Sequence, residues 1–357
     1  MSQSVLVAGF STRHVARSAK LAGYEVYAVD HFCDRDLGWY TRDRSRFEEL
    51  DELIPAITEM CQKHQIDWLV PTSGAELLES PVPLLGADTR SAERFMDKCA
   101  TQDFFEEIGV EAPRLLPPGQ FPAMVKPRSG SGGWRNMVVF CEAEKRAWDE
   151  AFNHAPAITQ EVVSGAPCSV CCVADGSRAR AIAVNEQLLR GSGRAEYGFC
   201  GSVTPLRDSR AGLLGGIGEK IAAASGCRGT VGIDFVLGDR AWAIEVNPRF
   251  QATLDTVEMA AGVNLFSLHA RACGGSLPAE RTRAGRVAVR TIVFAERDMV
   301  MKEDLSRFSP AVADIPWPGT EFEEGQAVIS VFGQGADREE AFAMLDKHMK
   351  SIQQYMG

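Results

Sequence analysis

Two short segments of this 357-residue chain concentrate residue types that can do chemistry. The first is Val125-Lys126-Pro127-Arg128-Ser129-Gly130-Ser131-Gly132-Gly133. A lysine at a strand end, followed by a small flexible loop, suits polyphosphate. The ammonium neutralises charge, and bare backbone N–H groups can approach the oxygens. No Gly-Lys-Ser or Gly-Lys-Thr follows the glycines, so this is not a Walker loop, and no G-x-G-x-x-G opens a helix. Taken alone, the loop reads equally as a surface linker. The second segment is Gly232-Ile233-Asp234-Phe235 followed by Glu245-Val246-Asn247-Pro248-Arg249. Asp234 and Glu245 fall near the facing ends of an expected hairpin. Glu245 and Asn247, two residues apart, share one strand face. Two carboxylates and an amide oxygen are hard ligands, suited to Mg²⁺ held partly by substrate phosphates. Arg249 follows at once and can clamp an oxyanion or phosphoryl group. The bland alternative is an ordinary polar strand end.

The elements that must carry these segments come in two styles. Up to residue 71, short apolar strands at 4–8, 25–30 and 67–71 alternate with helices at 14–22 and 51–64. Such alternation predicts a parallel sheet with helices on both faces and ligands beyond the C-terminal strand ends. Ser11, Thr12 and Arg13, just past the first strand, are candidates for substrate contact on that ground. A helical region follows at 91–108, then a connector containing Pro113, Pro117, Pro118 and Pro122. Beyond it, strands at 123–126, 136–140, 157–163, 169–174, 179–186, 230–237, 241–246, 287–295 and 327–332 suggest a mixed, largely antiparallel arrangement. Helices are expected at 142–152, 209–224, 253–261, 265–273 and 338–353. Asp255 and Glu258, at i and i+3, share a helix face. They either receive a substrate amine or face solvent. Trp134 either shields the glycine loop or simply packs beside it.

Composition excludes several classes. Lys+Arg is 38 against 48 Asp+Glu, a net charge of −10. An acidic chain has no diffuse attraction for nucleic acid or anionic lipid, so neither is expected as a partner. The longest uncharged stretch, residues 162–174, is thirteen residues, short of the roughly 20 needed to span a bilayer. The N-terminal residues read as a strand entering a turn rather than a secretion signal, and the expected location is cytoplasmic. Ten cysteines are too sparse for a disulfide framework. Cys168, Cys171 and Cys172 form the one cluster. No second ligand pair completes a zinc site, so buried reduced thiols are expected.

The strings GIDF…AIEVNPRF, with VKPRSGSGG upstream, resemble the ATP-grasp superfamily. With GFSTRHVARSAKLAGYEVYAVD and EVNPRFQATLDTVE, the chain more narrowly resembles the archaeal ATP-dependent carboligases related to biotin carboxylase. The resemblance runs from Val5 to Phe332. It implies an α/β (α+β) chain: an N-terminal Rossmann-like pre-grasp domain followed by a two-subdomain ATP-grasp fold. The implied limits are 1–89 for the pre-grasp domain and 90–120 for a linker helix and Pro-rich connector. A small lid subdomain would span 121–186, a large subdomain with the metal site 187–335, and a C-terminal helix 336–357.

The resemblance also implies site residues. Lys126 and Lys98 would contact ATP phosphates. Ser129, Gly130, Ser131, Gly132 and Gly133 would close over them. Gln160, Glu161, Val162 and Val163 would form the hinge, with backbone groups at Glu161 and Val163 reading the adenine edge. Asp234, Glu245 and Asn247 would hold Mg²⁺, or Mn²⁺ in its place. Arg249 would stabilise the transferring phosphoryl group or acyl phosphate, making it catalytic together with Lys126. One departure stands out: the usual Gly-x-Glu after the hinge, whose acid binds ribose, is here Gly165-Ala166-Pro167-Cys168. The implied activity is an ADP-forming ligase that activates a carboxylate as an acyl phosphate for attack by an amine. A bicarbonate-activating enzyme and a silent ATP-binding sensor are the alternatives. Partners are then small-molecule carboxylates and amines, with a homodimer as the default assembly.

Overall fold

The computed structural model describes residues 3–356. The alternating N-terminal pattern becomes β1 (Ser4–Gly9), α1 (Arg13–Leu21), β2 (Glu25–Asp30), β3 (Asp43–Arg46), α2 (Leu53–Lys63) and β4 (Trp68–Pro71). The four strands form a parallel sheet in the order β3-β2-β1-β4. β1 is buried along its whole length, as a central parallel strand covered on both faces must be. β3 reads Asp-Arg-Ser-Arg and carries no apolar signal; backbone pairing with β2, and the bonds of Asp43 to Lys63 and His64 at 2.7 and 2.8 Å, hold it at the sheet edge.

The single helical region expected over 91–108 is broken into α3 (Thr89–Glu93) and α4 (Lys98–Glu107). The break is Asp97, at φ −114 and ψ 118, whose carboxylate accepts from the N–H groups of Cys99 and Ala100. An aspartate in that role starts a new helix and satisfies its free donors. It also fixes Lys98 as the first residue of α4.

A three-stranded antiparallel sheet follows, in the order β6-β5-β7, from β5 (Ala123–Pro127), β6 (Met137–Val139) and β7 (Ala157–Glu161), with α5 (Glu142–Ala151) against it. Its small core holds Ala123, Val125, Val139 and Trp148. The rest of the chain comprises β8 (Ala166–Asp175), β9 (Ala179–Leu189), β10 (Phe199–Thr204), α6 (Ala211–Ala224), β11 (Arg228–Leu237) and β12 (Ala241–Asn247). Then come α7 (Leu254–Ala261), α8 (Leu265–Cys273), β13 (Val287–Phe294), the two-residue strands β14 (Met299–Val300), β15 (Val312–Ala313) and β16 (Glu321–Phe322), β17 (Ala327–Gly335) and α9 (Arg338–Ile352).

Eight strands make one large sheet, in the order β12-β11-β8-β9-β10-β13-β17-β15. This moves a boundary. β8 and β9, expected inside a lid subdomain at 121–186, pair with β11 and β10 in the large sheet, and the small sheet ends at Glu161. The last eight of the ten residues of β8 are buried. A strand so apolar on both faces needs cover on both sides, which the interior of the large sheet supplies. α9 packs on β17, with Ala341, Leu345 and Ile352 joining Val331 in one core.

The small sheet is rooted on the β11–β12 hairpin at both ends. Before it, the Ala243 N–H donates to Glu111 O at 2.8 Å, and Arg240 pairs with Glu111 at 2.9 Å. After it, Gly165 and Gly238 lie back to back. A Cβ on Gly165 would meet the Leu237 backbone at 2.5 Å, and one on Gly238 would meet Ser164 O at 2.1 Å. Only glycine permits that approach.

The first domain is fastened to the large sheet by buried polar ties. Arg13 reaches Asp255 with two bonds, at 2.7 and 3.1 Å, and Asp314 at 2.8 Å, while Arg290 pairs with Asp314 at 3.0 Å. His269 of α8 donates Nε2–H to Leu85 O at 3.0 Å and accepts the Thr230 N–H on Nδ1 at 2.9 Å. Among the described residues, no helix is long and apolar enough to cross a membrane. All ten cysteines are unpaired thiols, with Cys168, Cys171 and Cys172 buried.

Candidate functional site

The site starts from the register of β11 and β12. Asp234 faces Glu245, Gly232 faces Asn247, and a bulge after Asp234 sets Phe235 against Ala243. The pleat therefore puts Gly232, Asp234, Glu245 and Asn247 on one face. Asp234 accepts from Gln187 Nε2 at 2.8 Å and from Asn247 Nδ2 at 3.2 Å. Burial, and then the charge of Glu245, pushes Asp234 up to about 7. Two acids crowded in this way favour a cation between them. Asn247 Oδ1 accepts from Arg249 Nη2 at 3.1 Å and keeps a second lone pair for a metal. Among the described residues, no three His, Cys, Asp or Glu side chains gather into a metal-holding group. Two carboxylates and one amide, completed by a ligand's own oxygens, fit the way Mg²⁺ is commonly held.

Cations converge on this face from the other side. Burial lowers Lys126, at the end of β5, to about 8; Glu245 pulls its pKa back up and Lys98 pushes it further down. Lys98 Nζ lies 3.9 Å from Glu245 Oε1 and donates to Gly130 O at 2.6 Å, so it bridges the glycine loop and the hairpin. The loop root is fixed by Arg128, which pairs with Asp97 at 2.7 Å, and by the Lys98 N–H, which donates to Arg128 O at 3.0 Å. Ser129, Gly130, Ser131 and Gly132 are exposed and Gly133 is half-buried. The loop rests on the large sheet: Gly132 O accepts the Phe199 N–H at 3.1 Å. Trp134 meets Phe294 edge-on at 5.6 Å, with the Arg190 guanidinium 4.2 Å over the Phe294 ring.

At the hinge, the side chains are occupied. Gln160 is buried and donates to Gln102 Oε1 at 3.1 Å and Pro113 O at 3.3 Å. The Glu161 carboxylate takes the Arg114 backbone N–H and Nη2, each at 2.9 Å, and the Glu161 N–H donates to Arg114 O. An adenine edge would therefore meet the Glu161 carbonyl and the Val163 backbone. Val162 is exposed and Val163 half-buried. Cys168, at the place of the family acid, is a core thiol facing Glu186 and Phe235, pushed up to about 12 by burial.

Arg249 brings a residue that no sequence signal marked. Its Nε donates to Glu76 Oε1 at 2.6 Å, and its Nη1 to Phe250 O at 3.2 Å. The other Glu76 oxygen accepts the Gly74 N–H at 2.7 Å. Glu76 comes from the first domain, in the loop after β4. The clue available in sequence was general: it follows the C-terminal end of a parallel strand, where such sheets bind ligands.

Four candidate substrate residues are corrected. Thr12 is buried, and its N–H and Oγ1 both donate to Asp30, at 2.6 and 2.8 Å. Arg13 and Asp255 are buried and bonded to each other. Glu258 accepts from Ser18 Oγ at 2.5 Å, Leu265 N–H at 2.8 Å and Arg17 Nη1 at 3.2 Å. These residues tie the first domain together and to α7; they present no open face to a substrate. Ser11 alone of the five is half-buried.

Residues 95–253 match the ATP-grasp domain family. An uncharacterized protein of Methanocaldococcus jannaschii, MJ0776, is 24% identical over 359 residues, covering 92% of this chain and 88% of that one. The carbamoyl phosphate synthase large chain of Thermus thermophilus is 25% identical over 292 residues, 73% of this chain; the match spans only 28% of that protein's length. Among solved structures, the biotin carboxylase domain dimer of the 2-oxoglutarate carboxylase of Hydrogenobacter thermophilus, in complex with MgADP, ADP and bicarbonate, superposes with a TM-score of 0.80 at 15% identity, over 99% of this chain and 90% of that one. The L-amino acid ligase of Bacillus licheniformis gives 0.74 at 14% identity, over 98% and 97%. Residues 95–253, which hold both lysines, the glycine loop and the acidic hairpin, match the ATP-grasp domain.

Proposed function

We propose that the protein is an ADP-forming ligase that activates a carboxylate as an acyl phosphate for attack by an amine. The observation that carries this reading is the meeting of Lys98 with Glu245 at 3.9 Å, beside buried Lys126 and the Asp234–Glu245 pair. Anionic phosphates and a divalent cation are what such an arrangement of opposite charges suits. The relatives support it in kind: one solved neighbour holds MgADP, and another is an L-amino acid ligase.

The chemistry asks little covalent help from the protein. A carboxylate oxygen attacks the γ-phosphorus, and the bond to the bridging oxygen of ADP breaks. The amine nitrogen then attacks the acyl carbon, orthophosphate leaves, and the nitrogen loses a proton. Asp234, Glu245 and Asn247 would hold Mg²⁺, which would supply charge neutralisation on the phosphoryl oxygens. Lys126 and Lys98 offset the remaining phosphate charge, and Arg249 holds the group in transfer. The glycine loop, braced by Trp134 on Phe294, excludes water that would hydrolyse the acyl phosphate.

The test is Mg²⁺-dependent ADP release from purified protein with carboxylates, amines, amino acids and bicarbonate, singly and in pairs. Release stimulated by a carboxylate–amine pair, and abolished in Glu245→Ala, is the expected result. Stimulation by bicarbonate alone would replace the reading with a carboxylase-type one. ATP binding without turnover across the panel would favour a sensor.

A further inference from the structure

A continuous chain of hydrogen bonds runs through the acidic hairpin. From the first domain, Glu76 accepts Arg249 Nε at 2.6 Å, and Arg249 Nη2 donates to Asn247 Oδ1 at 3.1 Å. Asn247 Nδ2 donates to Asp234 Oδ2 at 3.2 Å, and Gln187 Nε2 ends the chain on Asp234 Oδ1 at 2.8 Å. Gln187 is half-buried and lies on β9, two strands from Asp234 in the order β11-β8-β9.

Nearer polar side chains are committed elsewhere. Ser169, which faces Asp234 across the β8–β11 pair, takes Asn185 Nδ2 on its Oγ at 3.2 Å. Asn185 Oδ1 takes the Thr204 hydroxyl at 2.7 Å, and all three side chains are buried. Gln187 is two residues along β9 from Asn185, so it shares that face and reaches over β8 to the acid. A carboxylate accepts and an amide nitrogen donates, so the end of the amide that meets Asp234 is fixed.

A carboxylate turns about two bonds, and a metal ligand has to hold one setting. Asp234 is gripped from both sides of its own strand, by Asn247 on β12 and Gln187 on β9. Both grips are uncharged amides, which orient the acid without cancelling its charge. Glu245 differs: its neighbour at 3.9 Å is the Lys98 ammonium. Outer partners of this kind orient metal ligands, and their loss commonly costs about 10–100-fold in affinity.

We propose that Gln187 is a positioning residue for the divalent cation, its amide N–H holding Asp234 as a ligand beside Glu245. The assignment rests on the reading above in taking these two acids as the metal acids.

The test measures Mn²⁺ binding by electron paramagnetic resonance, with ADP present and no turnover. In Gln187→Met, similar in length but without the donor, the Mn²⁺ Kd should rise about 10–100-fold. The Kd for ADP without metal should stay within about twofold, since Gln187 holds the acid and not the phosphates. Gln187→His, whose Nε2–H reaches a similar distance, should bind Mn²⁺ within about threefold of the wild type. Gln187→Glu, which keeps an oxygen but loses the donor, should be as weak as Gln187→Met. An unchanged Mn²⁺ Kd in Gln187→Met overturns the assignment and leaves the ligase reading standing. Equal weakening of Mn²⁺ and of metal-free ADP overturns it in favour of a role in the fold alone. Binding in Gln187→Glu as tight as in the wild type overturns it in favour of a direct ligand. Turnover is read separately: a wild type that converts no carboxylate–amine pair removes the ligase reading, while the Mn²⁺ shift in Gln187→Met still supports the assignment. A wild type that binds no Mn²⁺ removes the assignment and the metal site together.

Discussion

Acidification should act first at the joint made by His269. The ring lies between the first domain and β11, donating to Leu85 O and accepting the Thr230 N–H. Phe250 and Phe266 pack on it at 4.5 and 5.9 Å. Burial lowers its pKa to about 4 from the usual 6.5, although Leu85 O resists. The folded protein thus keeps the ring neutral, while the unfolded chain takes a proton near pH 6.5. Between these values the unfolded state holds more protons, so stability falls as pH drops from 6.5 towards 4 and is fully present above 6.5. A shift of about 2.5 units corresponds to about 3.4 kcal/mol, of which about 2 kcal/mol is lost by pH 5. His14, also lowered to about 4 by burial, adds a separate loss over the same window. The perturbation is His269→Asn, whose amide oxygen can still accept the Thr230 N–H. The assay is an NMR titration of the six histidine rings, with His269 identified by its disappearance in the variant. Urea unfolding at pH 7.5 and pH 5 runs alongside. We expect a His269 midpoint below about 5, and a variant that loses about 2 kcal/mol less than the wild type between the two pH values. A ring titrating between about 6 and 7, close to the unperturbed value, would refute the argument from burial. So would equal losses in the two proteins.

Glu76→Ala strips Arg249 of its charge partner inside the protein. Steady-state kinetics should show kcat lowered by at least about tenfold with the ATP KM little moved, and Glu76→Gln should fall between the two. Trp134→Ala removes the edge contact with Phe294 that seats the glycine loop. The ATP KM should rise several-fold, and the change in intrinsic fluorescence on adding Mg·ATP should largely disappear. Burial pushes Cys168 and Cys171 up to about 12 and Cys172 up as well. A thiol reagent should therefore label fewer than ten cysteines in the native protein and all ten in guanidinium.

The acidic hairpin was legible because its signal is local. Asp234, Glu245, Asn247 and Arg249 lie within sixteen residues, and a two-residue spacing on a strand fixes a shared face. The parallel sheet of the first domain was legible for the same reason, each strand announcing itself by an apolar run. What escaped depends on distance along the chain. Glu76 meets Arg249 across 173 residues, and no pattern around either records the meeting. Arg13, Asp255 and Glu258 look like polar residues at exposed positions, and the bonds of α1 to α7 enclose them, while Thr12 is enclosed by its bonds to Asp30. The boundary after β7 was misjudged because β8 and β9 follow the small sheet directly in sequence. Only tertiary pairing assigns them to the large sheet.

The back-to-back glycines at 165 and 238 and the bond from Ala243 to Glu111 have a mechanical consequence. Both strands of chain that support the small sheet are pinned to one end of the β11–β12 hairpin. The acids sit a few residues along the same hairpin. A rotation of the small sheet about these two pins would turn it on the same hairpin that carries Asp234 and Glu245, so the placement of Lys126 is tied to that hairpin. Glu76 reaches Arg249 from the first domain, outside these two pins, so the first domain and the small sheet meet the hairpin by separate routes.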